Sequence, residues 1–274
     1  MISYLLIGLR EGLEAALVVS ILITYLVRTA RNSLIRFVWI GVVSAVALSV
    51  VLASILTFTS ISLSKYPHLE EIFAGTMSTI AVALVTWMIV WMRNAGKRMS
   101  AELEGKLESA IVGGAATITL MAFASVAREG IETTFFFFTA VQAAHSSLDP
   151  VLGFSLGILL AAGLGVLLYR RAIKINLRRL FTITSYFLIL VAAGVLSYGF
   201  SDLAEAGVLP INLGTAFNVS AVIPEGSWYG ALAQGIFNFN AETSWLSAIT
   251  WMVYVAFAIW LFNHKPKAKA ALAS

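Results

Sequence analysis

The stretch that decides the fold lies at the start of the chain, where residues 2–27 read ISYLLIGLREGLEAALVVSILITYLV. The stretch is long enough to cross a hydrocarbon core of about 30 Å, which takes about 20 helical residues. Three charged residues, Arg10, Glu11 and Glu14, interrupt its apolar run. No basic residue precedes the run and its centre is charged, unlike a signal peptide, so the sequence predicts a retained membrane helix.

The charged pattern R-E-G-[LI]-E occurs twice. Residues 10–14 read REGLE and residues 128–132 read REGIE, each inside an otherwise apolar segment. At about 100° per residue, the arginine and both glutamates of a copy project from one face of a helix, and the glycine lies on the other side. Gly12 and Gly130 therefore allow either a close approach by a neighbouring helix or a local break.

The composition and hydropathy of the whole chain also indicate a membrane protein. Of the 274 residues, 59% are hydrophobic and 12% charged, which excludes a cytosolic enzyme. Cysteine is absent, which excludes disulfide frameworks and thiolate metal sites. We predict an all-α integral membrane protein, a single transmembrane domain over residues 1–274 with seven transmembrane helices. The seven apolar runs are Ile2–Val27, Phe37–Phe58, Ile72–Met92, Ser109–Val141, Val151–Tyr169, Leu180–Phe200 and Trp245–Phe262.

The placement of the 18 lysines and arginines predicts the orientation in the membrane. Fifteen of them follow the first, third, fifth and seventh runs, which places all fifteen on one side, whereas the opposite loops hold only Lys65. The positive-inside rule then puts the N-terminus outside and the C-terminus in the cytoplasm, in a multi-pass protein of the cytoplasmic (plasma or inner) membrane. The net charge of +4 reflects this topology, and no nucleic-acid partner is expected.

The two motif copies predict an inverted repeat. Three spans separate one copy from the next, so the two motif helices cross the membrane in opposite directions, as in many secondary transporters. We predict repeat one over 1–92, repeat two over 109–200, an outer loop over 201–244 and a seventh helix over 245–262. A short interfacial or re-entrant helix is expected within the outer loop.

The motif charges point to a cation site. Each ionised group inside a membrane costs about 2.5–3.5 kcal/mol. An ion pair between Arg10 and Glu14, four residues apart, would use one glutamate per arginine. The same pairing in both copies would leave two glutamates, and so two negative charges, unless a cation or protons compensate. Oxygen-only ligands suit hard cations such as Ca²⁺, Mg²⁺, Mn²⁺ and ferric iron. The predicted metal ligands are Glu11, Glu14, Glu129 and Glu132, with Arg10 and Arg128 tuning the site.

Two alternatives stay open from the residues alone. One is a membrane-bound di-iron carboxylate oxidoreductase, although such sites use Glu-x-x-His pairs and no histidine lies in the predicted spans. The other is a carrier of divalent Mn²⁺ or Ca²⁺, whose ligands are also oxygens.

The paired motifs, in helices one and four of seven, resemble those of the oxidase-dependent iron permeases, which include the fungal high-affinity iron permeases and bacterial EfeU-type transporters. The resemblance covers the chain nearly end to end. It implies a permease and not an enzyme, in which Glu11, Glu14, Glu129 and Glu132 bind iron in transit. Iron is then the transported substrate, with no cofactor, and is delivered, as ferric ion, by an oxidising partner. The chain begins almost directly with helix one, so we expect a separate extracytoplasmic oxidase or iron-binding protein.

A second acidic pair lies beyond the motifs. Asp202 and Glu205 are three residues apart at the outer end of the sixth run, where the resembling family carries similar acidic stretches. We predict a possible outer relay site at these two residues.

Overall fold

The computed structural model describes residues 2–95, 99–142, 148–169, 177–210, 214–219 and 242–264. Within these residues the chain is almost entirely helical, and two short strands pair near its end. A 3₁₀ turn, Asn32–Leu34, joins the first two helices. The elements are α1 Ile2–Arg28, α2 Ile35–Leu63, α3 Pro67–Ala95, α4 Met99–Val112, α5 Ala115–Gln142, α6 Leu148–Tyr169, α7 Leu177–Glu205, β1 Thr215–Asn218, β2 Glu242–Ser244 and α8 Trp245–Asn263.

Five helical segments in the described part of the chain are long and apolar enough to cross a membrane. They are Asn32–Leu63, Pro67–Met92, Pro150–Leu167, Arg179–Glu205 and Trp245–Asn263. Helices α1 and α5, at 27 and 28 residues, have the length as well, but each carries the three charges of its motif. The helical class predicted from the sequence is confirmed.

One apolar run does not form a single helix. The run Ser109–Val141 is divided between α4 and α5, and Gly114 between them has φ of +86°. Glycine adopts this left-handed conformation without steric cost, so the Gly113-Gly114 pair ends one helix and lets the next begin at Ala115. The prediction that Ser109–Val141 is one span was wrong at its start, because hydropathy alone does not register a helix break.

The helices pack in pairs across the bundle. Helix α1 packs most extensively on α6, α2 on α5, and α3 on α7, while α7 also packs on α8. Helix α5 touches α1 and α3 as well. Glycines lie at these crossings: a Cβ at Gly41 of α2 would lie 2.8 Å from the Phe123 nitrogen of α5, and one at Gly75 of α3 would lie 2.6 Å from the Gly199 carbonyl of α7. Small residues allow such close helix contacts in membranes.

Two apolar clusters fill the interior. One is centred on α3, α7 and α8 and includes Val85, Leu188 and Tyr254. The other joins α1, α2 and α5 to the amphipathic helix α4, whose Leu103 and Leu107 are buried. Both motif helices contribute to both clusters, with Ile7 and Phe136 in the first and Leu22 and Ala122 in the second, so the motifs lie between two buried apolar regions.

The segment after α7 differs from the prediction at its edges. Helix α7 continues to Glu205, so Asp202 and Glu205 belong to its last turn and the loop predicted over 201–244 begins later. Strands β1 and β2 pair antiparallel, with Asn218 opposite Glu242. The Ser244 hydroxyl then accepts a hydrogen bond from the Ser247 backbone at the start of α8. The interfacial or re-entrant helix predicted within this loop is not tested, because residues 211–213 and 220–241 of the loop lie outside the described part of the chain.

Candidate metal site

Both motifs lie within continuous helices that hold their charges inside the protein. Arg10, Glu11 and Glu14 of α1 are each only 2% exposed. Glu129 and Glu132 of α5 are also buried, whereas Arg128 of the same motif is partly exposed. A charge with so little access to water needs a partner of opposite sign, which makes the arrangement of these side chains decisive.

Three of the four predicted ligands come together. One carboxylate oxygen from each of Glu11, Glu14 and Glu129 lies within 4.8 Å of the other two. Oxygens bound to a common metal ion at about 2.0–2.6 Å are separated by no more than about 5 Å, so one cation fits among the three. The group draws on both motifs, since α1 supplies two oxygens and α5 supplies the third.

Glu132 lies beside this group and not within it. Its Oε1 accepts a hydrogen bond from Arg128 Nε at 3.1 Å, one helical turn away. It remains close enough to Glu14 for the two carboxylates to repel each other. Glu132 is therefore the one predicted ligand that lies outside the group of three carboxylates.

The same ion pair occurs in each motif. Arg10 Nε lies 3.1 Å from Glu14 Oε1, and Arg128 Nε lies 3.1 Å from Glu132 Oε1. The first glutamate of each motif lacks such a close ion pair. Glu129 Oε1 is 4.0 Å from Arg128 Nε, and neither oxygen of Glu11 has a hydrogen-bond partner. Buried polar atoms normally have partners, so these oxygens mark a place where a ligand is expected.

The charge balance explains why that ligand should be a cation. Four carboxylates and two guanidinium groups, if all ionised, carry two net negative charges in a buried space. Burying uncompensated charge costs several kcal/mol per ion, and a multivalent cation removes that cost. Only oxygen donors come together in the group, which favours a hard cation.

The motif glycines serve helix packing. A Cβ at Gly12 would lie 2.6 Å from Ala161 Cβ of α6, and one at Gly130 would collide with the Ser49 hydroxyl of α2. Both helices continue through these positions without a break. Of the two roles considered from the sequence, close approach is therefore the one that the structure displays.

Two tryptophans that the sequence analysis did not single out lie against Arg128. The guanidinium carbon is 4.1 Å from the ring centroid of Trp91 and 4.7 Å from that of Trp87, both on α3. The spacing of four residues places the rings on one helix face. Nothing in the sequence indicates that this face is turned towards α5, so the contact could not be predicted.

The outer acidic pair is a separate feature. Asp202 is buried at the end of α7, and its Oδ2 has no hydrogen-bond partner. Glu205 of the same helix and Glu70 and Glu71 of α3 all act on it electrostatically. The structure thus adds two carboxylates to the predicted pair, and none of the four belongs to the group formed by the motifs.

The chain is similar to known proteins over nearly its whole length. Residues 1–265 match the model of the iron permease FTR1 family. The chain is 38% identical over 269 residues to the ferrous iron permease EfeU of Shigella sonnei and to that of Escherichia coli O157:H7, covering 97% of this chain and 96% of each relative. It is 32% identical over 272 residues to the ferrous iron permease EfeU of Yersinia pestis, covering 98% of this chain and 95% of the relative. No solved structure matches the chain.

The relatives are named permeases, which are transporters and not enzymes. Together with the apolar helices described above, they identify a multi-pass membrane protein. The family match spans nearly the whole chain, and the relatives exceed 30% identity over almost their full length. The chain therefore belongs to the iron permease FTR1 family.

Proposed function

We propose that this chain carries iron across the cytoplasmic membrane through a carboxylate site built by its two R-E-G-x-E motifs. The observation that supports this most directly is the group of buried carboxylates from Glu11, Glu14 and Glu129, drawn from two helices to within 4.8 Å. Family membership names the cargo as iron, and the oxygen donors suit a hard ion. Glu132 is the fourth ligand through its Oε2, which has no hydrogen-bond partner while Oε1 pairs with Arg128.

The proposed architecture is seven transmembrane helices with an inverted repeat. An inverted repeat would relate α1, α2 and α3 to α5, α6 and α7. Under that exchange the α1–α6 pair becomes the α5–α2 pair, and the α3–α7 and α1–α5 pairs stay the same. All of these pairs occur, and each motif helix meets its main partner at its motif glycine, Gly12 against α6 and Gly130 against α2. A two-fold relation between the halves, with its axis in the membrane plane, accounts for this pattern.

The site supplies what a transported ion needs at mid-membrane. Carboxylate oxygens replace the water that the ion loses, and the arginines offset part of the negative charge of the site when no ion is bound. Because the second glutamate of each motif is shared between an arginine and the ion, its oxygens can pass from one to the other. That exchange gives the ion a path into and out of the site.

We further propose that iron reaches the site as ferric ion, supplied by a separate extracytoplasmic oxidase or iron-binding protein. Ferric iron is the harder ion and fits carboxylate-only donors best. The relatives are named for ferrous iron, so the two ions need to be compared directly. Uptake by cells offered ferric iron alone, ferrous iron with a reductant, and ferrous iron with oxidation allowed separates the cases. Uptake that requires oxidation supports the proposal, and equal uptake under reducing conditions contradicts it.

An outer relay is the second part of the route. Asp202 and Glu205, with Glu70 and Glu71 facing them from α3, form an acidic group at the outer ends of α3 and α7 in the proposed orientation. Clustered negative charge raises the local concentration of cations. We expect Asp202→Asn to slow uptake at low iron and to have little effect at saturating iron.

The transport proposal is tested with purified protein in liposomes. Wild type is expected to accumulate radiolabelled iron, and Glu14→Gln is expected not to, while Glu108→Gln on the exposed side of α4 serves as the matched control. Excess Mn²⁺ or Ca²⁺ that abolished iron uptake and itself accumulated would favour a divalent carrier. A stable bridged di-iron absorption spectrum without transport would favour the oxidoreductase.

A further inference from the structure

The arginine of the second motif is held in a different way from the arginine of the first. The Arg10 side chain is 1% exposed, whereas that of Arg128 is 27% exposed. Among the described residues, aromatic rings lie over Arg128 but not over Arg10. The rings of Trp87 and Trp91 thus restrain a guanidinium group that burial alone does not fix.

The position of that guanidinium decides which carboxylate it pairs with. Arg128 Nε is 3.1 Å from Glu132 Oε1 and 4.0 Å from Glu129 Oε1. A shift of about 1 Å would exchange the two partners, given the usual length of a charged hydrogen bond. Glu129 belongs to the group of three carboxylates and Glu132 does not. An arginine paired with Glu129 would compete with a cation for the same oxygens.

We propose that Trp91, assisted by Trp87, positions Arg128 on Glu132 and so keeps Glu129 available to the cation. A guanidinium group over an indole face is held electrostatically, and more strongly where water is excluded. Trp91 has the shorter contact and is partly buried, while Trp87 is 55% exposed. Trp91 is therefore the main positioning residue. The inference rests on the proposed role of the motif glutamates as iron ligands.

The first test compares Trp91→Leu with Trp91→Phe in liposome uptake at matched protein levels. Trp91→Leu is expected to raise the KM for iron about fivefold, the size of one lost cation–π contact, with maximal rate within about twofold of wild type. Trp91→Phe keeps an aromatic face and should recover most of the affinity. Trp39→Leu, on an exposed face of α2, is the matched control and should leave KM unchanged. Equal KM values for the Leu and Phe variants would overturn the positioning role.

The second test asks whether Trp91 acts through Arg128. Binding of radiolabelled iron is measured for Trp91→Leu in the wild-type background and in an Arg128→Gln background. The proposal expects about fivefold weaker binding in the first background and no change in the second. The same loss in both backgrounds would assign Trp91 to packing alone and overturn the proposal. If Arg128→Gln bound no iron, the comparison of Trp91→Leu with Trp91→Phe would decide whether Trp91 positions Arg128.

Failure of this inference is distinguishable from failure of the proposed function. Glu129→Gln is measured in the same binding series. If Glu129→Gln bound iron as well as wild type does, the proposed iron site would be contradicted, whatever the tryptophan variants do. Lost binding in Glu129→Gln, together with an unchanged Trp91→Leu protein, would overturn only the positioning of Arg128.

Discussion

At the residue scale, the two glutamates of a motif do different work. The second one, Glu14 or Glu132, pairs with the arginine four residues before it. The first one, Glu11 or Glu129, has little or no cationic partner and lies in the three-carboxylate group. The unpaired glutamates therefore carry the charge that most needs a bound cation.

This difference predicts how substitution of the first glutamate of each motif affects iron uptake. Glu11→Gln and Glu129→Gln each keep the size of the side chain and remove a ligand charge, so each should lower iron uptake about 10-fold to 100-fold. The proteins should still reach the membrane, because neutralising an unpaired buried acid removes a desolvation cost. Uptake assays with quantified membrane protein check this, with Glu108→Gln as control. Near-normal uptake by either variant would contradict a shared site.

The arginines give a second prediction. Arg10→Lys keeps the charge next to Glu14 but loses the planar guanidinium group, whereas Arg10→Ala leaves a buried carboxylate without its partner. We expect Arg10→Lys to retain measurable uptake and Arg10→Ala to lose most of it, as measured in the same assay. Normal transport by Arg10→Ala would show that the empty site needs no internal cation.

The buried carboxylates were predictable from the sequence because a charged five-residue pattern inside an apolar helix is costly and occurs twice. The ion pair between Arg10 and Glu14 also follows from helical spacing alone. The separate position of Glu132 and the rings over Arg128 were not predictable. Both depend on how α3 and α5 are rotated about their axes, and a single sequence does not specify such rotation.

At the scale of helices, the motif glycine is a packing residue. A Cβ at Gly12 would meet Ala161 Cβ at 2.6 Å, while the next contact, with Ile158 Cα, is 3.4 Å. Gly12→Ala should therefore destabilise the α1–α6 pair by about 1–3 kcal/mol. Ala161→Gly added to it should restore stability, because the colliding methyl group is gone. Thermal unfolding in detergent measures both.

The control for this prediction lies in α6, two residues after Ala161. A Cβ at Gly163 would meet no atom within 4 Å, so Gly163→Ala should leave stability unchanged or raise it slightly. A Gly12→Ala protein as stable as wild type, or a double variant no better than Gly12→Ala, would contradict tight packing at the motif.

Helix positions followed from hydropathy where charges or polar turns bound each apolar run. The method failed at the start of α5, where the last turn of α4 is apolar and only the turn at Gly114, with its positive φ, separates it from α5. It also ended α7 too early, because polar Asp202 and Glu205 continue the last helical turn. Boundaries set by backbone conformation do not appear in a hydropathy pattern.

At the scale of the whole molecule, the orientation can be tested by labelling single introduced cysteines. The chain has no native cysteine that would have to be removed first. We expect Ser33→Cys, between α1 and α2, to react with an impermeant maleimide only from the cytoplasmic side. Ser64→Cys, between α2 and α3, should react only from outside. The positive-inside rule gives this assignment. The reverse labelling would contradict both the orientation and the direction proposed for transport.

The measurement that decides whether both motifs build one site is the iron stoichiometry of the purified protein, for wild type, Glu11→Gln and Glu129→Gln. One shared site predicts about one iron per chain for wild type and close to none for either variant, because α1 and α5 both supply ligands to the same ion. Two separate sites would instead give about two iron ions per wild-type chain and about one in each variant, and that result would contradict a common carboxylate site.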